Sequence, residues 1–170
     1  MPLNTLIESR INATLTGVAD IGTPTLTQDE SSRHQWDNGV GANQADVLWS
    51  DERTVATGAT DSIDLAGVLT GLLGGTLTMV KVKAIRVRNS QKSGVANTTV
   101  ISLTRPATNG VPIFAAAGDA IPIHPGGEVL IVNPAAAGYV VTAATGDLID
   151  IVNAAGASAT YRIEVLGTLS

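Results

Sequence analysis

Residues 78–89, TMVKVKAIRVRN, decide the fold class of this chain. Val80 and Val82 share one face of an extended strand, with Lys81 and Lys83 on the other. The phase then flips: Ile85 and Val87 are apolar, while Arg86 and Arg88 are charged. Side chains alternate with a period of two along a strand, so a regular strand cannot place all four apolar residues on one face. One extra residue near Lys83-Ala84 restores the pattern, and a β-bulge supplies such a residue. The sequence therefore predicts a strand from Thr78 to Asn89 with a bulge or sharp bend in its middle.

Similar short runs surround it. Upstream lie Asp46-Val47-Leu48-Trp49, Arg53-Thr54-Val55-Ala56-Thr57 and Ser62-Ile63-Asp64-Leu65. The Leu/Gly segment from Ala66 to Gly75 is expected to form at most one short helical turn, since each glycine costs about 1 kcal/mol inside a helix. Downstream come strands at Asn97–Thr104, Pro112–Phe114, Val129–Val132, Gly138–Thr142 and Asp147–Val152. In the last, Tyr161–Leu166, Tyr161, Ile163 and Val165 face inward while Arg162 and Glu164 face out. Short strands separated by turn signals every ~8–12 residues indicate a sandwich or barrel. The scarcity of helix-length patterns argues against βαβ architectures. The expected fold is all-β, an antiparallel, jelly-roll-like β-sandwich over residues 46–170.

Residues 1–45 differ in texture. Leu3, Leu6, Ile7, Ile11 and Leu15 have a spacing that suits an amphipathic helix, but Asn12-Ala13-Thr14-Leu15-Thr16 has the threonine content of a strand. An extended N-terminal arm is the favoured reading. Residues 28–45, QDESSRHQWDNGVGANQA, read as loop because Asp-Asn-Gly and the glycines punctuate them. A long loop in a compact domain is suspect unless functional. An arm lying on a partner accounts for it.

Composition narrows the function classes. The chain has 170 residues, 44% of them hydrophobic, 3% aromatic and 15% charged, with a net charge of −5. Its mean hydropathy is +0.25. Low charge with this hydropathy argues against a disordered chain. With no cysteine, disulfides, thiolate nucleophiles and cysteine-bound zinc are excluded. The acidic balance disfavours nucleic-acid binding. No apolar run reaches the ~20 residues needed to span a bilayer. Met1-Pro2-Leu3-Asn4-Thr5 lacks the basic and apolar regions of a secretory signal, so a soluble chain without membrane attachment is expected. Half of the ten basic residues fall within Lys81, Lys83, Arg86, Arg88 and Lys92. The favoured reading makes them the solvent-facing positions of one strand, and such a cluster also suits an acidic partner surface.

Catalytic patterns are weak. The histidines are His34, in a polar loop, and His124, between Pro122 and Pro125. No G-x-S-x-G elbow occurs. Asp61/Asp64 and Asp147/Asp150 are each three apart, which on a strand sends the carboxylates to opposite faces. Gly74-Gly75 and Gly126-Gly127 match no phosphate-binding loop. The reading is a non-enzyme without cofactor or metal. Trp49 belongs in the core, while Trp36 is evenly balanced between core and interface anchor.

Several motifs occur in order: Gly39-Val40-Gly41-Ala42-Asn43-Gln44-Ala45-Asp46, Trp49-Ser50-Asp51-Glu52-Arg53-Thr54, Asp64-Leu65-Ala66-Gly67, Lys81-Val82-Lys83-Ala84-Ile85, Pro125-Gly126-Gly127, Thr145-Gly146-Asp147-Leu148 and Tyr161–Gly167. Over roughly residues 37–167 this set resembles the small virion structural proteins of tailed bacteriophages, of the capsid-decoration (cement) or minor tail type. The resemblance implies a β-sandwich bound to the outside of a virion, often as a homo-oligomer. It brings no catalytic residues. The expected partners are the major capsid protein and further copies of the chain, with a homotrimer as the working guess. The expected location is the outer capsid surface. Leu3, Leu6, Ile7 and Ile11 are the expected arm anchors, Trp36 a further contact, and Lys81, Lys83, Arg86 and Arg88 the groups facing acidic capsid surface. The alternative is a tail-tip, fibre or receptor-binding module whose tryptophan-bearing loops recognise a host glycan.

Overall fold

A computed structural model describes residues 2–67 and 69–170. Its strands are β1 (Thr5–Thr16), β2 (Thr25–Asn38), β3 (Gln44–Ala45), β4 (Val47–Val55), β5 (Ala59–Asp64), β6 (Leu69–Thr70), β7 (Thr76–Leu77), β8 (Lys81–Arg88), β9 (Ile101–Thr104), β10 (Ala120–Ile123), β11 (Glu128–Val132), β12 (Tyr139–Val140), β13 (Leu148–Asn153) and β14 (Ala159–Thr168). No helix occurs among the described residues. The protein is all-β.

Two sheets form the body, in the orders β11-β8-β14-β4 and β10-β9-β13-β5. Of these eight strands the first pairs with the last, the second with the seventh, the third with the sixth and the fourth with the fifth. That nesting is a long hairpin rolled up on itself, the strand order of a jelly roll. Inward residues of both sheets merge into one core: Trp49, Val82, Ile85, Val87, Tyr161, Ile163 and Val165 from one, Ile63, Ile101, Leu103, Ile149 and Ile151 from the other.

The bulge lies where the phase slip places it. Leu166 pairs with Ala84, but the next residue, Gly167, pairs with Val82. Lys83 is therefore the extra residue on β8. A Cβ on Gly167 would lie 2.3 Å from the Lys81 carbonyl oxygen, so only glycine lets the two strands close up beside the bulge.

Several expectations change. Residues 28–45 are not a loop: β2 runs through Asn38, and β3 follows. No apolar alternation marks this strand, because from Thr25 to Arg33 it is paired to β1 while both its faces are solvated. Pairing from Thr5↔Trp36 to Thr16↔Thr25 makes residues 5–38 an extended two-stranded ribbon rather than a helix. The Leu/Gly segment keeps within the expected limit of one helical turn, since its described residues form none, and β6 and β7 are a small hairpin. Pro112–Phe114 is not a strand, although Ile113 is buried, and β9 starts only at Ile101. Strand β10 contains Pro122, which its edge position permits because the missing N–H faces no neighbour.

Candidate interaction surface

In an antiparallel pair, residues directly opposite project from the same face. One face of the ribbon therefore carries Thr5/Trp36, Ile7/His34, Ser9/Ser32, Ile11/Glu30, Ala13/Gln28 and Leu15/Leu26. The other carries Leu6/Gln35, Glu8/Arg33, Arg10/Ser31, Asn12/Asp29, Thr14/Thr27 and Thr16/Thr25. The first face holds most of the ribbon's apolar side chains. The second is laced by ion pairs, Arg33 with Glu8 at 3.6 Å and a bidentate contact of Arg10 with Asp29. Beside Arg10 the Asp29 carboxyl is held below its ordinary pKa.

The near half of the apolar face is seated. Trp36, Ala45, Ala84 and Leu166 form a second buried cluster, with Leu3, Ile7, Leu48 and Val132 packed against it. Leu48, Leu166, Ala84 and Val132 are one row across the outer face of β4-β14-β8-β11. The Leu3 amide donates to the Asn38 side chain at 2.9 Å and fastens the start of the ribbon to its end.

The far half has no seat. From Glu8 to Arg33 every residue except Ala13 is exposed. Ile11 is 74% exposed, Leu15 63% and Leu26 64%, while Val18 and Ile21 in the connecting loop are fully exposed. Twelve paired positions span about 40 Å at a rise of ~3.4 Å each, about the width of a globular body of this size. The molecule's accessible surface, 9072 Å², exceeds by about 1,250 Å² the ~7,800 Å² expected for its mass. A two-stranded ribbon exposed on both faces is marginal in water unless something covers it.

The expected contact residues thus divide. Leu3 and Ile7 are partly buried in the seat, Leu6 lies on the opposite, polar face at 44% exposure, and Ile11 points outward on the unseated half. Trp36 is a core residue at 1% exposure, so it is not a free interface anchor. Leu15 and Leu26, which the expected contacts omitted, belong to the stripe through the β1–β2 register.

The basic cluster is corrected too. Lys83 is completely buried rather than facing an acidic partner. Its ammonium donates to the carbonyl oxygens of Gly41 (3.2 Å), Ala136 (3.0 Å) and Ala135. Three donors meet three acceptors, which satisfies the group. Burial and the nearby Lys81 lower its pKa. Arg86 and Arg88 lie in the next two rows of the same outer sheet face, Ser50-Glu164-Arg86-Leu130 and Glu52-Arg162-Arg88-Glu128. Arg86 meets Glu128 at 2.8 Å, and Arg88 meets Glu128 at 3.4 Å and Glu164 at 3.7 Å. Cross-strand glutamates compensate these arginines within the chain, which removes most of their attraction for an outside anion. Lys81 remains half-buried at the end of β8.

A polar constellation closes the edge of the sandwich between β4 and β5. Arg53 grips Asp61 through two bonds of 2.7 Å, and the Tyr161 hydroxyl donates to the same carboxylate at 2.8 Å. The Arg53 contact holds the Asp61 pKa below its ordinary value against the opposing effect of burial, and burial with the adjacent carboxylate raises that of Tyr161. The other carboxylates of the spaced pairs are engaged separately: Asp150 by Ser62 at 2.7 Å, Asp64 by the Ala66 amide and Asp147 by the Ala144 amide. No group of three or more potential metal ligands converges among the described residues. The triad acts as a fastener between sheets. Asp61→Asn is expected to cost about 2 kcal/mol at neutral pH, since charge-assisted bonds contribute ~1.5–3 kcal/mol. Because the folded pKa is depressed, this stabilisation is complete above the unfolded value of about 3.9 and drains away as pH falls toward the folded value. Urea unfolding at pH 7, 4 and 3 checks it: wild type should lose stability between the last two, and D61N should show a flatter profile.

By strand order and surface, the chain is a jelly-roll sandwich bearing an amphipathic β-ribbon. No family model matches it, and no curated protein or solved structure matches it either.

Proposed function

We propose that this chain is a non-catalytic virion protein of the capsid-decoration kind, which binds the major capsid protein on the outer shell and ties neighbouring subunits together. The observation that carries the reading is the ribbon: an apolar stripe rooted in the body's own packing and continuing past it into solvent. Such an element buries surface on a neighbour. The resemblance of the ordered motifs to those of phage virion proteins supports the setting. Apolar side chains on a stiff, backbone-paired ribbon suit contact with a fixed protein surface, because little entropy is lost when a pre-formed element docks. The tail-module alternative, which the same resemblance allows, has tryptophan-bearing loops recognise a host glycan. Trp36 and Trp49 are both buried, at 1% and 3% exposure, so neither is free for that contact.

The test is occupancy. Excising residues 9–32 and joining the ends through a two-residue turn keeps the Ile7/Trp36 seat but removes the stripe. Added to undecorated particles, the shortened chain is expected to bind at least tenfold more weakly than wild type, about 1.4 kcal/mol. Equal occupancy of the two forms refutes the role given to the ribbon. Failure of wild type to bind particles refutes the capsid setting.

A further inference from the structure

We propose that the far half of the ribbon seats in an apolar trough on the body of a second copy, so that the chains assemble in solution by ribbon-to-trough contacts. The inference deepens the reading above by seating the stripe on a neighbouring copy in the decorating layer, where linked copies hold the shell more tightly than one alone, and it rests on that reading only in taking the ribbon as a contact element.

The trough lies where the ribbon begins. It is lined by Leu3, Val47, Leu48, Leu72, Leu73 and Leu77. The β6–β7 hairpin builds one wall: Gly74 and Gly75 take positive φ angles of 84° and 79°, and this tight turn leaves Leu72 and Leu73 projecting at 57% and 80% exposure. Three observations favour a second copy. The first is continuity. Leu3 and Leu48 belong both to the seat of the chain's own ribbon and to the trough. The surface that already accepts the near half of the stripe therefore runs on into an uncovered surface of the same kind.

The second is pairing of the exposed sets. Among the described residues, the large aliphatic side chains more than half exposed are Ile11, Leu15, Val18, Ile21 and Leu26 on the ribbon, Leu72 and Leu73 on the trough, and Val95. One chain thus carries both members of a complementary contact, and its own ribbon leaves the trough open. The third is charge and size. Residues 11–28 hold a single charge, Asp20, and the trough holds only Asp46, so association desolvates little charge. Those eighteen residues approach the ~20–30 residues a side of a stable interface. A contact in which each chain gives one surface and takes another forms a finite ring where the rotation between copies closes and an open filament where it does not.

Complementation tests it. A ribbon variant, Leu15→Asp with Leu26→Asp, and a trough variant, Leu72→Asp with Leu73→Asp, change exposed residues only. Unchanged circular dichroism and a cooperative thermal transition confirm that both fold, although Tm itself falls with loss of assembly. By light scattering, wild type is expected at a multiple of 17.3 kDa, and each variant alone as a monomer. An equimolar mixture retains one intact ribbon and one intact trough, and its mean mass should rise toward twice the monomer. A monomeric wild type overturns the proposal, as does a mixture that stays monomeric. So does a trough variant that still assembles, which would mean ribbon-on-ribbon contact. All three readouts are independent of particle occupancy, so they fail separately from the capsid reading.

Discussion

Lys83→Ala is expected to lower stability by about 3 kcal/mol, the upper end of the ~1–3 kcal/mol cost of leaving buried polar groups without a partner. In a chain of this length that lowers Tm by roughly 10 °C. The ammonium is fully buried at the bulge and donates to Gly41, Ala135 and Ala136. Those carbonyls belong to two separate loops, one following the ribbon and one following β11. The Asn43 amide also joins these loops through Pro134, at 2.8 Å. Removing the side chain leaves three acceptors short of a donor and loosens both loops at once. Lys83→Met keeps the aliphatic stem and should recover part of the loss, which separates packing from hydrogen bonding. Thermal denaturation of the three proteins checks it. Equal Tm values for wild type and K83A would show that water replaces the ammonium without cost.

The second large effect is expected from Trp36→Ala, at about 3–5 kcal/mol of local stability. Trp36 fills the small cluster beneath the ribbon's root, separate from the main core. Its loss should unseat the ribbon while leaving the sandwich folded, a sub-global opening rather than complete unfolding. Amide exchange should accelerate at residues 5–7 and 34–45 and stay slow in β8, β13 and β14. The indole N–H is buried without an acceptor, so Trp36→Phe sacrifices no hydrogen bond and should be much milder. Uniform acceleration across all strands would instead make the two clusters one cooperative unit.

Much of the sandwich was legible because its strands obey simple alternation. Tyr161, Ile163 and Val165 are all fully buried, as their spacing requires. The phase slip between Val82 and Ile85 marked the bulge, since one residue too many is visible in a sequence. The fate of that extra residue was not visible. A lysine reads as solvent-facing, and only the approach of two distant loops shows that it is enclosed. Arg86 and Arg88 misled for a related reason: the cluster is dense along the chain, but Glu128 and Glu164 reach it through strand pairing. The ribbon was half legible. Leu3, Ile7 and Ile11 marked an element with one apolar side, yet β2 offers DESSRHQ where a half-buried strand would alternate. Backbone pairing and cross-strand ion pairs hold that stretch straight, and neither leaves an apolar alternation to read.

The rolled-up pairing of the body has a consequence for synthesis. Strand β4 waits for β14, made after the other strands of the body, and so does the aliphatic row that cradles Trp36, since Leu166 lies on β14. Residues 5–38 can pair with each other first, because contacts between near neighbours form far faster than those between chain ends. The ribbon therefore emerges from the ribosome and begins to pair before its socket exists, only marginally held until then. Nascent chains crowded on one messenger would display sticky ribbons to each other during that delay, and the sparing use of large aliphatics along the stripe limits the hazard.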